Sequence, residues 1–412
     1  MSVEQRWQQA LDQLKQQGRY RSFRRPIGID FTSNDYLGYG NQTVNEKRLI
    51  ANPQENSNSQ NGNDYSSGSD YSSGSDCSNE RANSLSRSGI ASRLLRGNHP
   101  IWEEVEEMLA RFHECEAVLM MNSGYVANEG LIATIMEPGD WVASDELNHA
   151  CIVDGLRLAR CQRYSFRHND LNHLEAGLKA VTEKKKNDPS EADRAKFIIT
   201  ESLFSMDGDF APLIEICSLA ERYGALVIVD EAHATGCWGK MGRGLIDAAG
   251  VRSRILASVH TGGKALGLPG AYIATNSLLK NYLINRCRQL IFTTALPPEI
   301  GRWWRDQLVT VQSDDDRRQS LHDRVELFHQ LLQKYQIPFL GKSYIVPIIL
   351  HQDERAVQVA NSLQAQGFDV RAIRPPSVPL GTARLRISIH ADHTPEQITA
   401  LAEALNEIIH TV

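Results

Sequence analysis

Apolar positions recur along this chain in two rhythms. Near the start, Val3, Trp7, Leu11 and Leu14 follow helical spacing, which predicts a first helix with one apolar side resting against a larger body. Gly18 is its natural stop. A short extended segment is expected at Ile29 to Phe31, followed by the turn-rich SNDYLG at Ser33 to Gly38. Between Ile101 and Thr294 the rhythm changes. Short continuous apolar runs (AVLMM, FIIT, LVIV) each end in polar or Gly-rich sequence, and amphipathic stretches such as EEVEEMLARFH and PLIEICSLAERYG lie between them. Strands buried on both faces and alternating with helices predict an α/β fold, a mostly parallel sheet covered by helices on both sides.

From about Ala295 the texture changes again. A proline pair opens a long amphipathic stretch with Leu321, Val325, Phe328 and Leu332, and strand-like IVPIIL and TARLRISI are separated by another helix. TPEQITALAEALNEIIHTV reads as a closing helix. The predicted division is an N-terminal helix and extended segment over 1–40, a large domain over 41–294 and a small α+β domain over 295–412. Within the large part, about 54–80 is rich in Ser, Asn, Gly and Asp and carries YSSGSD twice in tandem. So little apolar area cannot offset the entropy of ordering, so a mobile surface insertion is expected there.

Composition narrows the class. The net charge of -6 and the lack of a long basic run argue against nucleic acid as a partner. No stretch approaches the roughly 18 apolar residues of a membrane span, and the N-terminal stretch has no signal-like apolar core. The 7 cysteines form no CxxC pair, so a reduced, cytoplasmic setting is the economical expectation.

Several polar residues sit where apolar runs end, and ligands of such sheets bind beyond the carboxyl ends of the strands. Lys264 lies in HTGGKALGLPG, where glycines allow the backbone to turn closely around a ligand. A lysine stripped of hydration shifts toward the neutral amine that can combine with an aldehyde; the plainer reading is a surface lysine in a flexible loop. Asp230 ends ALVIVD and could face a protonated pyridine nitrogen, with His233 near the ring's phenolate oxygen; a helix cap beside a satisfied histidine is the alternative. Residues 230–233 spell DEAH, but no Walker loop accompanies them: Lys264 is followed by Ala265, and Ser258 stands where the first glycine would be. His149 could stack on a planar cofactor. A zinc site from His149, Asp230 and His233 lacks HExxH and clustered ligands, so no metal is expected. Ser123, Gly124 and Tyr125 could open a helix whose amides cradle a phosphate. The Ser205 hydroxyl could reach a cofactor oxygen or simply bond Asp207. Arg384 and Arg386 share one face of a strand and either clamp a carboxylate or face solvent.

Together SNDYLG, NSGYVAN, DELNHA, ESLFSMDGD, VIVDEAHATG, HTGGKALG, FTTALPPE and IRPPSVPLGTARLR resemble the α-oxoamine synthase family of fold-type I pyridoxal-phosphate enzymes. The resemblance covers nearly the whole chain outside the polar tract. It implies a seven-stranded sheet, pyridoxal 5'-phosphate as cofactor, and a homodimer with active sites shared between subunits. It also implies an acyl transfer in which an amino acid joins an acyl thioester and loses carbon dioxide. The pattern is most similar to the biotin-pathway branch, which uses L-alanine and pimeloyl-CoA or a pimeloyl-carrier-protein thioester. Glycine-using branches, and a catalytically inactive subunit that keeps the fold, are the rivals.

By the same resemblance Lys264 is the cofactor-binding lysine, Asp230 the partner of the pyridine nitrogen, His233 that of the phenolate oxygen, and His149 the stacking ring. Gly124 and Tyr125 lie near the phosphate, Ser205 and Thr261 contact the cofactor, and Thr293 or Thr294 reaches the neighbouring subunit's phosphate. Arg386 takes the substrate carboxylate, and Arg21 and Ser377 lie near the acyl substrate. Trp102 stands where the family commonly has a histidine, and Ser377 where the biotin-pathway branch often has threonine.

Overall fold

The structure is a computed structural model and describes residues 1–40, 87–187 and 194–411. The tandem YSSGSD tract lies outside the described residues. The strands, in chain order, are β1 (Ile29–Asp30), β2 (Ala117–Met121), β3 (Trp141–Asp145), β4 (Gln162–Phe166), β5 (Lys196–Glu201), β6 (Leu226–Asp230), β7 (Ala257–Thr261), β8 (Ala271–Thr275), β9 (Ile345–His351), β10 (Phe368–Asp369), β11 (Ala372–Ile373) and β12 (Ala383–Ser388). Seven of them form one sheet in the order β2-β8-β7-β6-β5-β3-β4. Pairing is parallel from β4 through β7, and β8 runs antiparallel between β7 and β2.

Burial explains the apolar runs. β2 and β3 are buried at every position, and the interior of β5 and β6 likewise, because helices cover both faces. On one side the helices Gly124–Ile135 and Ala150–Ala159 pack with Leu119, Ile199, Ile228 and Val259. On the other, Leu213–Tyr223 packs with Ile198, Val227 and Val229. Edge strand β4 escaped the pattern because its QRYSF is mostly uncovered and polar.

The C-terminal part repeats the logic at smaller scale. β11, β12 and β9 form an antiparallel sheet, backed by helices Asp353–Ala365 and Pro395–Thr411. The long amphipathic stretch is two helices, Pro298–Ser313 and Asp315–Lys334, the second capped by the Asp314 side chain on Arg317 N at 3.2 Å. An apolar cluster continues from Phe31, Tyr36 and Leu37 through Trp102 and Trp304 to Leu385 and Leu405, so SNDYLG is fixed between the large and the small sheet.

The first helix, Val3–Gln16, forms as its spacing predicts, with Ser2 and Gln5 in a reciprocal cap. Its expected rest against a larger body is corrected by the structure. None of its residues is buried, and Trp7 keeps 65% of its surface exposed. Among the described residues, no helix is long and apolar enough to cross a membrane.

Candidate active site

β5, β6 and β7 end in Glu201, Asp230 and Thr261. Parallel neighbours present their last residues side by side, and the register pairs Glu201 with Asp230. Beyond them, the loop after β7 folds back on itself: Leu268 N donates to the Gly262 carbonyl at 2.8 Å and Gly267 N to that of Lys264 at 2.9 Å. Only glycine suits two of these places. A side chain at Gly262 would meet Leu268 O and the Trp304 ring at 2.5 Å, and Gly267 has φ +66 with Gly40 N only 2.6 Å from where a Cβ would stand. This tight loop directs Lys264 inward.

Lys264 Nζ lies 2.6 Å from His233 Nε2. Asp230, Glu201, His149, Cys151, Asn128, Thr261, Gly124, Tyr125 and Ala232 join this pair around one cavity of about 150 Å³. Asp230 is anchored twice: Asn128 Nδ2 donates to Oδ2 and Ala232 N to Oδ1, both at 2.8 Å. His149 caps the helix Ala150–Ala159, its Nδ1 accepting from Cys151 N at 3.3 Å, while its own N–H donates to Glu201 Oε1 at 2.7 Å. Ser123 caps the helix Gly124–Ile135, so the positive end of that helix faces the cavity through Gly124 and Tyr125.

Electrostatics follow from burial. Loss of hydration pulls Lys264 down to about 8, although Asp230 and Glu201 act in the opposite sense. His233 falls well below the ordinary imidazole range through burial and then the positive charge of Lys264 and Arg386. Burial, followed by the nearby Asp230 charge, pushes Glu201 up to about 8. An amine close to neutrality beside an anchored carboxylate and a neutral imidazole is suited to carbonyl and proton-transfer chemistry.

Arg386 reaches this group from β12. It is 7% exposed, its Nη2 donates to Asn34 Oδ1 at 2.9 Å and to the Tyr36 hydroxyl at 3.2 Å, and its Nε donates to the Ser205 carbonyl at 2.6 Å. Arg384 is 4% exposed and pairs with Asp207 at 2.5 Å. The solvent-facing alternative for these arginines is therefore overturned. Ser205 meets Arg386 through its backbone carbonyl and does not line the cavity. Thr293 and Thr294 lie apart from the cavity, near Asn122, whose Nδ2 donates to the Thr294 carbonyl at 2.9 Å. Arg21 and Ser377 do meet each other, at 3.1 Å, in a separate cavity shared with Arg19 and Arg374. Zinc at His149, Asp230 and His233 is disfavoured by their partners, since His233 is held between Lys264 and Tyr36 and Asp230 by Asn128 and Ala232.

Five contributors escaped the sequence reading. Glu201 and Asn128 lie inside ESLFSMDGD and NSGYVAN, but the sequence assigns a role to neither, though each sits one register position or one helical turn from a flagged residue. Asn34 and Tyr36 lay inside SNDYLG but are separated from Arg386 by about 350 residues, a distance no local pattern bridges. The fifth, His168, is clamped by Asp145 at 3.0 Å and Asp209 at 2.8 Å, tying the end of β3 to the turn that holds Arg384 and Arg386.

The donor set fits pyridoxal phosphate: an amine for the aldehyde, a carboxylate for the ring nitrogen, an imidazole for the phenolate and a helix start for the phosphate. The sequence pattern of the family described as aminotransferase class I and II matches residues 26–405. The 8-amino-7-oxononanoate synthase of Chlorobaculum parvum is 37% identical over 385 residues, spanning 92% of this chain and 89% of its own. A solved 8-amino-7-oxononanoate synthase from Francisella tularensis superposes with a TM-score of 0.70 at 26% identity, covering 93% of this chain and 98% of its own. A serine palmitoyltransferase from S. paucimobilis, solved with PLP bound together with myriocin, reaches a TM-score of 0.81 at 25% identity, covering 100% and 99%. With a lysine, a carboxylate and an imidazole gathered where the strands end, the chain belongs to the aminotransferase class I and II family and, within it, to the α-oxoamine synthases, acyltransferases that depend on pyridoxal phosphate.

Proposed function

We propose that the protein condenses L-alanine with a pimeloyl thioester, carried on CoA or on a carrier protein, releasing carbon dioxide, the free thiol and 8-amino-7-oxononanoate. The observation that carries this reading is the 37% identity to a relative of that name across 92% of the chain, joined to the Lys264–His233 contact of 2.6 Å inside the cavity.

Pyridoxal phosphate supplies an electron sink for bond changes at the α-carbon of the amino acid. Lys264 would bind the cofactor aldehyde and, once displaced by the amino acid, serve as general base for the α-proton; an amine near 8 is suited to both. Asp230, doubly anchored, would keep the ring nitrogen protonated. His233 would donate to the phenolate oxygen and His149 would lie over the ring. Gly124 and Tyr125 would hold the phosphate, with Thr261 beside them and Ser205 contributing from its turn. Arg386 would take the substrate carboxylate. Arg21 and Ser377 would receive the acyl substrate. In a homodimer with shared sites, Thr293 and Thr294 would reach the neighbour's phosphate. A cytoplasmic setting accords with these substrates.

Structural likeness to serine palmitoyltransferase favours a second reading, L-serine with a long-chain acyl thioester. Incubating the pyridoxal-phosphate-loaded protein with L-alanine, glycine or L-serine against pimeloyl, acetyl, succinyl and palmitoyl thioesters, with mass analysis of products, separates them. Product of 8-amino-7-oxononanoate mass from L-alanine and a pimeloyl thioester is expected. Preferential use of glycine, or of L-serine with palmitoyl-CoA, overturns the assignment.

A further inference from the structure

Tyr36 does not line the cavity, yet His233 and Arg386 both reach it. Its hydroxyl lies 2.7 Å from His233 Nδ1, 2.9 Å from Asn34 Oδ1 and 3.2 Å from Arg386 Nη2. The side chain is fully buried, and its ring packs on Tyr344 with centroids 4.3 Å apart. Its carbonyl accepts from Ala391 N at 2.8 Å. The Tyr344 hydroxyl in turn donates to the His233 carbonyl. Phenol and imidazole are thus fixed against each other from both ends.

Counting hydrogens decides how they bond. A guanidinium only donates, so the Asn34 amide must turn its oxygen toward Arg386 Nη2, 2.9 Å away. That same oxygen faces the Tyr36 hydroxyl at 2.9 Å. Two oxygens at this distance attract only with a hydrogen between them, and the amide oxygen has none to give. The single phenol hydrogen therefore points at Asn34. His233 Nδ1 then meets lone pairs on Tyr36 and must carry its own hydrogen. Burial and the surrounding positive groups keep His233 neutral, with one ring hydrogen in all. Nε2 is therefore bare, and Lys264 Nζ donates to it at 2.6 Å.

We propose that, before the cofactor binds, Tyr36 is a positioning residue that keeps the hydrogen of His233 on Nδ1, so that a bare Nε2 holds the Lys264 amine in place. This rests on reading Lys264 as the amine that takes the cofactor. A hydrogen bond accepted from an ammonium favours its charged form, so Tyr36 offsets part of the burial that drives Lys264 toward neutrality. The other titratable and charged groups around Lys264 are Asp230 and Glu201 at the strand ends, Cys151 and His149 at a helix start, and Arg386 from β12. All of them remain when the Tyr36 hydroxyl is removed.

The test uses the full-length, cofactor-free protein and follows its uptake of pyridoxal phosphate by absorbance across pH. Uptake needs the neutral amine, so its midpoint reports Lys264. In Tyr36→Phe the Nδ1 hydrogen loses its acceptor, the hydrogen moves to Nε2, and the amine is faced by a donor. The midpoint is expected to fall by about one pH unit, or about tenfold in neutral amine at a fixed pH below it. Asn34→Ala lets the phenol turn to Nδ1 and should move the midpoint the same way. A purely structural Tyr36 would slow uptake at every pH and leave the midpoint where it was. Unchanged or raised midpoints in the variants overturn the proposal; if Tyr36→Phe does not fold, Asn34→Ala decides alone. Neither substrate enters the measurement, so failure of the alanine and pimeloyl assignment would leave this result standing, and the reverse also holds.

Discussion

β7 carries His260 and Thr261 in succession, and the two residues belong to different worlds. Thr261 lines the Lys264 cavity. His260, fully buried, takes Thr235 Oγ1 at 2.7 Å on Nδ1 and Ser258 Oγ at 2.8 Å on Nε2, and stacks on Tyr272 at 4.7 Å. His113 joins from the C-terminal end of the helix Pro100–Phe112, which it caps, its Nε2 2.7 Å from the Tyr272 hydroxyl. Burial pulls His260 and His113 well below the imidazole range, just as it does His233. A depressed, buried histidine is thus no sign of chemistry by itself. What separates His233 is its partner: a titratable amine beside a cavity, where His260 has two hydroxyls.

Substitutions can break that contrast. The largest effect is expected at Lys264→Ala, which should remove cofactor uptake and lower turnover by roughly 10⁴-fold. Next, Asp230→Asn keeps an acceptor for Asn128 but cannot hold a proton on the ring nitrogen. Exchange of the L-alanine α-proton in heavy water should slow by roughly 10²-fold or more, with the thermal unfolding midpoint little changed. Arg386→Lys loses the planar fork and should raise the amino-acid KM by roughly 10-fold or more, with a smaller effect on kcat.

The sealed side should behave differently. His260→Leu leaves the Thr235 and Ser258 hydroxyls short of a partner and should cost about 1–3 kcal/mol in denaturant unfolding, while turnover of the folded enzyme stays near wild type. A loss of turnover as large as that of Asp230→Asn would erase the distinction. The smallest effect concerns pH. Burial disfavours charge on His168, but the hydrogen bonds it donates to Asp145 and Asp209 outweigh this and raise the group to about 10. Its folded value lies above its unfolded value near 6.5, so its contribution is complete below that pH and is lost as pH climbs toward about 10. His168→Gln should flatten that part of the stability profile.

Much of this was legible in the chain. The apolar runs before Glu201, Asp230 and Thr261 announced buried parallel strands, and the residues that follow such runs are the ones the sheet brings together. Lys264 could be singled out because the glycines around it let the backbone turn closely about a ligand, and because its stretch is one of the motifs that carry the resemblance. Legibility failed where contacts are long-range or exposure is unusual. Arg386 is locked by Asn34, Tyr36 and Ser205, and nothing near it in sequence hints that it is buried. The helix Val3–Gln16 has the spacing of a packed helix, yet the described residues leave its apolar side uncovered. The Ser205 carbonyl accepts from Arg386 across 181 residues of chain, another contact that no local pattern announces.

Reduction of the pyridoxal-phosphate-loaded protein with borohydride, followed by digestion and mass mapping, asks most directly whether the amine at 264 holds the cofactor. A pyridoxyl-phosphate adduct confined to the peptide containing Lys264 is expected, and it should vanish in Lys264→Ala. An adduct on another lysine, or none in protein that still catalyses the condensation, would contradict it.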